Sequence, residues 1–143
     1  MYRLLIVAAL LLTSDATRLS AADMDDCFRG SDAMACRRLS EHSNAEMQGW
    51  AEVTLGEMYM AGRGVAQDTN QGMEWIRKAA EHGNARAENI LGLLYERGRG
   101  VIRDPTEALK WYRKSADQGN IDAQVNLGDF LMARRPTPEL EEA

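Results

Sequence analysis

The chain repeats itself at an interval of 36 residues, and this constrains its fold more than any other feature. Residues 55–90 read LGEMYMAGRGVAQDTNQGMEWIRKAAEHGNARAENI, and residues 91–126 read LGLLYERGRGVIRDPTEALKWYRKSADQGNIDAQVN. The two segments align without a gap. Leu55, Gly56, Tyr59, Gly62, Gly64 and Val65 recur as Leu91, Gly92, Tyr95, Gly98, Gly100 and Val101. Asp68, Trp75, Lys78, Ala80, Gly83 and Asn84 recur as Asp104, Trp111, Lys114, Ala116, Gly119 and Asn120. Self-similarity at a fixed period of this size marks a repeat architecture, in which each unit buries its apolar face only by stacking on a neighbour.

Each recurring residue has a structural reason. Apolar residues return at helical spacing over residues 51–59 and 87–95. Gly62 and Gly98 follow, where a helix ends in a left-handed residue. Val65 and Val101 tuck into a short loop. Asp68 and Asp104 cap the next helix, and Asp104-Pro105-Thr106-Glu107 is a strong helix start. That helix carries Met73, Trp75, Ile76, Ala79 and Ala80, then Leu109, Trp111, Tyr112 and Ala116 in the second copy. Gly83 and Gly119 end it, and Asn84 and Asn120 cap the helix after that. Small residues at Gly56, Gly92, Gly128, Ala51, Ala87, Ala123, Gly72 and Ala108 mark close helix contacts. The expected fold is all-α: a solenoid of antiparallel helix pairs, about two and a half units long.

The ends are degenerate. Asp32, Cys36 and Leu39 stand one period before Asp68, Gly72 and Trp75. Residues 31–42 therefore read as a weakened helix of the Trp-bearing kind. At the other end Leu127-Gly128 opens a new helix, which Arg134-Arg135-Pro136 stops. The expected organisation is a signal peptide over residues 1–22, an N-terminal cap over 23–48, the repeat solenoid over 49–134 and an acidic tail over 135–143.

The signal-peptide expectation rests on Arg3, the apolar run of residues 4–12 and the small residues Ser20-Ala21-Ala22. The run is too short to span a bilayer, which takes about 20 residues, and has the length of a secretory core. Ser14-Asp15-Ala16 offers a shorter cleavage alternative. The processed chain is thus expected in the periplasm or the medium, without a membrane span. Its formal charge of -5 turns more acidic on processing. Loss of Arg3, Arg18 and Asp15 leaves 15 basic against 21 acidic side chains. Without a basic cluster the chain is a poor ligand for nucleic acid or anionic lipid.

Cys27 and Cys36 are the two cysteines. An exported protein with one pair suggests one disulfide. Nine residues apart on a single helix they would sit roughly 13 Å apart along the axis, beyond bridging distance. A bridge therefore requires the chain to turn back between them, and Gly30-Ser31 is the natural place. Such a crosslink stabilises by roughly 2.7 kcal/mol through loop entropy. Two free thiols are the alternative; a zinc site lacks its further ligands.

The pattern LGxxYxxGxGVxxDxxxxxxWxRKxAxxGNxxA closely resembles the Sel-one-like repeats, a branch of the tetratricopeptide-type helical repeats. The likeness covers residues 31–134. Departures are Ser115 at the place of Ala79, Gly72 where alanine is more usual, and Met47-Gln48 in place of the first Gly-Asn turn. The resemblance implies a right-handed solenoid with a concave face and adaptor, assembly or immunity-type work, often exported in bacteria. A cysteine-rich branch is described as penicillin-binding with weak β-lactamase activity. That branch carries a cysteine pair in every repeat, and this chain has one pair at its edge.

Catalytic sets are sparse. Gly-x-Ser-x-Gly and Ser-x-x-Lys patterns do not occur. Gly62-Arg63-Gly64 and Gly98-Arg99-Gly100 resemble phosphate-loop fragments but lie between helices, with no strand before them. His42 and His82 fall near helix ends, where a cation is favoured. Glu74, Glu81, Glu88 and Glu96 read as solvated residues on polar faces. The expectation is a non-enzyme with no cofactor and no metal that binds a protein or peptide, as a monomer or small homo-oligomer. Trp75 and Trp111 recur with their neighbours, which favours packing. Function belongs where the copies differ and stay exposed, so Glu74, Trp75, Ile76, Arg77, Lys110, Trp111, Tyr112 and Arg113 are the candidate partner-binding residues.

Overall fold

In the computed structural model residues 20–134 are described. The apolar run of residues 4–12, the alternative cleavage point at Ala16 and the tail over 135–143 lie outside them. Seven helices follow one another, with no strand among the described residues. They are α1 (Ala21–Phe28), α2 (Ala33–His42), α3 (Ala45–Ala61), α4 (Thr69–Glu81), α5 (Ala85–Arg97), α6 (Pro105–Asp117) and α7 (Ile121–Met132). Each packs chiefly on the next in sequence, as in a solenoid.

The predicted punctuation is present at every repeat. Asp68 accepts from the Gln71 amide at 3.0 Å, and Asp104 from Thr106 and Glu107 at 2.9 and 3.1 Å. Pro105 opens α6. Asn84 and Asn120 accept from the Ala87 and Ala123 amides at 3.0 and 2.9 Å. Gly62 and Gly98 close α3 and α5 in the left-handed region, each at φ 67°. The amides of Asp68 and Asp104 then reach back to the carbonyls of Tyr59 and Tyr95 at 2.9 and 3.0 Å, which closes the two loops in the same way.

The first unit keeps its length but moves its boundary. Met47-Gln48 stand at the period positions of the Gly-Asn turn, yet the turn is made by Ser43 and Asn44. Asn44 accepts from the Met47 amide at 3.0 Å, as Asn84 and Asn120 do in their units. One helical turn has passed from the end of α2 to the start of α3, so α2 has 10 residues and α3 has 17.

Where α3 crosses α4 the backbones nearly touch. A Cβ on Gly56 would lie 2.9 Å from the Gly72 carbonyl oxygen, and one on Gly72 would lie 2.8 Å from that of Gly56. One unit later a Cβ on Gly92 would strike the Tyr112 ring at 2.5 Å, with Ala108 at the Gly72 place. Gly128, the third in the series, meets nothing, because no helix follows α7 among the described residues.

Three apolar clusters succeed one another along the stack. Cys27, Cys36, Leu39, Leu55 and Met58 form the first. Met73, Ile76, Leu91 and Leu94 form the second, and Ala108, Tyr112 and Phe130 the third. Ser115, the departure from Ala79, is fully buried and donates to the Ala85 carbonyl at 2.6 Å.

At the N-terminus α1 packs on α2, and a Cys27–Cys36 disulfide joins them with Cα atoms 4.7 Å apart. The turn-back occurs at Gly30, in the left-handed region at φ 63°. Ser20 and Asp23 form a reciprocal capping box at the start of α1. A scission after Ala22 therefore falls inside the first turn of this helix.

Candidate functional site

Glu88, expected on a solvated face, is completely buried on α5. Its carboxylate meets Lys114 Nζ at 2.9 Å and accepts from Gln118 Nε2 at 2.5 Å. The same arrangement stands one unit earlier. Glu52, also fully buried, meets Lys78 Nζ at 3.1 Å and His82 Nδ1 at 2.8 Å, and accepts from Gln48 Nε2 at 3.3 Å. The lysines lie against the recurring tryptophans. Lys78 Nζ is 4.8 Å from the Trp75 ring centroid, and Lys114 Nζ is 5.1 Å from that of Trp111. A buried carboxylate tolerates its site when charged and hydrogen-bonding partners surround it. These acids therefore tie α3 and α5 to the Trp-bearing helices α4 and α6. Their signal in the sequence was the shared register of Glu52 with Glu88 and of Lys78 with Lys114.

Two of the eight expected partner-binding residues are closed off. Tyr112 is fully buried; its hydroxyl donates to Glu96 Oε2 at 2.6 Å. Burial raises its pKa, and the Glu96 hydrogen bond and charge add to the shift. Ile76 is likewise fully buried, against Gly56. Neither reaches a partner, because the small glycine on the facing helix draws each ring or branched chain into the crossing.

The others are at the surface. Glu74, Trp75 and Arg77 border a shallow depression of about 520 Å³ with Lys78 and Glu81, all on α4. Arg77 pairs with Glu74 at 3.6 Å. Trp75 is half-buried, with Arg37 and Lys78 over its ring. Lys110 and Arg113 are exposed and Trp111 half-buried on α6; none of these lines that depression. His82 has a role in the buried network, and Glu96 is the acceptor for Tyr112.

A larger groove of about 570 Å³ opens on the other helices. Its walls are Glu57, Met60 and Ala61 of α3, Ile90, Leu93, Leu94 and Arg97 of α5, and the loop residues Arg63 and Arg99. The positions 57 and 93 carry Glu and Leu in the two copies, and 61 and 97 carry Ala and Arg. The helical part of the wall thus comes from positions that differ between copies, while its loop residues Arg63 and Arg99 occupy the same place in both. Sequence reasoning placed the differing exposed residues on the Trp-bearing helices and missed this wall.

A family model described as the Sel1 repeat matches residues 51–84 and 85–120. Among solved structures the chain is similar to a Sel1 repeat protein from Oxalobacter formigenes, at 33% identity and TM-score 0.65 over 75% of this chain and 44% of that one. It is similar to a protective antigen of uropathogenic Escherichia coli strains with an SLR fold, at 36% identity and TM-score 0.59. That match covers 71% of this chain and 23% of the antigen. Helicobacter pylori cysteine rich protein B shares the fold at 20% identity and TM-score 0.58, over 81% of this chain and 98% of that one. The chain spans less than half the length of the first two. No curated protein sequence matches it significantly. With two family-matched repeats set in a continuous stack of paired helices, the chain belongs to the Sel1-repeat proteins.

Proposed function

We propose that the chain is an exported, non-catalytic binding module that holds a protein or peptide partner along the α3/α5 groove, in adaptor, assembly or immunity-type service. Sel1 repeats generally mediate protein–protein interaction. The observation that carries the reading is the groove wall: an apolar floor with charged edges, whose helical positions vary between the two repeat copies. Repeat proteins keep their packing positions and rewrite such surfaces for recognition. Export is inferred from Arg3, the apolar run of residues 4–12 and the disulfide, which persists in an oxidising compartment.

The test is affinity capture from the producing organism with the processed, oxidised chain as bait. A Leu93→Glu bait is expected to lose the captured partner, and a Glu74→Ala/Arg77→Ala bait to keep it. Capture that survives Leu93→Glu and fails with the α4 variant moves the site to the Trp75 face. Turnover of nitrocefin by the purified chain, abolished by a single substitution, overturns the non-catalytic reading. Mass spectrometry of the protein recovered from the periplasm and the medium checks export and locates the cleavage site.

A further inference from the structure

From the charge arrangement of the α3/α5 groove we infer that its occupant is an acidic segment of a partner protein, anchored by an apolar side chain. The inference rests on the groove being the interaction surface. Met60, Ile90 and Leu93 are half-buried and form its floor with the core residue Leu94. Arg63, Arg97 and Arg99 stand exposed at its edge.

None of these three arginines takes part in an ion pair among the described residues, whereas Arg29, Arg38 and Arg77 each have a carboxylate. The acid in the groove wall, Glu57, is occupied by Arg86 at 2.6 Å. The groove edge is therefore a cationic patch on a chain whose formal net charge is -5. Arg63 and Arg99 recur at the same loop position, each directly after a left-handed glycine that ends a helix. Two successive loops thus present a guanidinium at the same end of two adjacent helices.

Guanidinium groups pair with carboxylates through two parallel hydrogen bonds, and the pairing strengthens beside apolar surface that excludes water. An apolar floor takes the side chain that supplies most of the affinity, and the arginines select for charge and orientation. Single-stranded nucleic acid fits poorly. It uses aromatic stacking platforms and a long cationic track, and no aromatic residue lines this groove.

The experiment is fluorescence anisotropy with two labelled peptides: an amphipathic Leu/Glu helix former, and its twin with every Glu replaced by Lys. The native chain is expected to bind the Glu peptide at least about tenfold more tightly than the twin, and more weakly as salt rises. Arg97→Glu/Arg99→Glu is expected to reverse that preference. Because Arg97 lies in the last turn of α5, where a cation is favoured, circular dichroism of the double variant verifies that it keeps its helical fold. Equal affinity for both peptides, no binding of either, or an unchanged preference in the double variant overturns the inference. If it falls in this way while Leu93→Glu still abolishes partner capture, the groove remains the binding surface with a different chemistry. If Leu93→Glu leaves capture intact, the groove reading itself is wrong.

Discussion

The ammonium of Lys114 sits 2.9 Å from the carboxylate of Glu88, a side chain with no exposure to solvent, while Lys114 itself remains half-exposed. The pair is lopsided: one member is confined to the interior and the other borders water. Its two halves should therefore respond differently to removal. Lys114→Met strands a buried negative charge with Gln118 as its remaining partner, a loss of about 3 kcal/mol. Glu88→Gln removes the buried charge and leaves a lysine that water can solvate, a loss of about 1 kcal/mol or less. Urea unfolding followed by circular dichroism measures both, and an equal effect of the two changes would refute the asymmetry.

The glycine series offers a second contrast on one helix position. Gly92→Ala drives a methyl group against the Tyr112 ring and should cost about 1–3 kcal/mol through forced repacking. Gly128→Ala, at the equivalent place on α7, meets nothing and should raise stability by about 0.5–1 kcal/mol through better helix propensity. Thermal melting of the two variants should move in opposite directions.

Reduction tests the N-terminal clamp. The Cys27→Ser/Cys36→Ser chain should lose about 2–3 kcal/mol, the value of closing a loop of this size. The loss should be concentrated in α1 and α2, since Cys27 and Cys36 belong to the first apolar cluster. Hydrogen exchange followed by mass spectrometry should show faster exchange over residues 21–42, with the amides of α5 and α6 little changed.

Acid should loosen the same end. In the unprocessed chain, which retains Ser20, the Ser20 amide and then Arg38 hold the Asp23 carboxyl below its ordinary value of 3.8. A carboxyl depressed in the folded state adds stability that is fully present above the unfolded pKa. That contribution fades as pH falls through 3.8 toward the lower folded value. Asp23→Asn should remove this part of the acid sensitivity, and Arg38→Met should shrink it. The comparison is melting temperature against pH from 6 down to about 2, read beside the native chain.

Much of the architecture was legible without coordinates because helix boundaries are local events. An Asn or Asp side chain caps an amide two or three residues on, and a glycine turns the chain at once. So Asp68, Asn84, Gly62 and their later copies named their own places. The period of 36 residues then announced stacked pairs, and Gly30-Ser31 the turn that lets Cys27 meet Cys36.

Burial was decided elsewhere. Tyr112 and Ile76 read as exposed because the copies differ there, yet Gly92 and Gly56 on the facing helices leave the space that draws them in. Glu88 read as solvated because its partners, Lys114 and Gln118, lie more than twenty residues along the chain. The first turn stands at Ser43 and Asn44, where Asn44 caps α3, and not at the period positions Met47-Gln48. The groove exists only because α3 lies beside α5, so residues from two units share one wall. Periodicity reports the geometry of a backbone with itself. Which face of that backbone meets water depends on contacts between segments far apart in sequence, and those appear only once the helices are stacked.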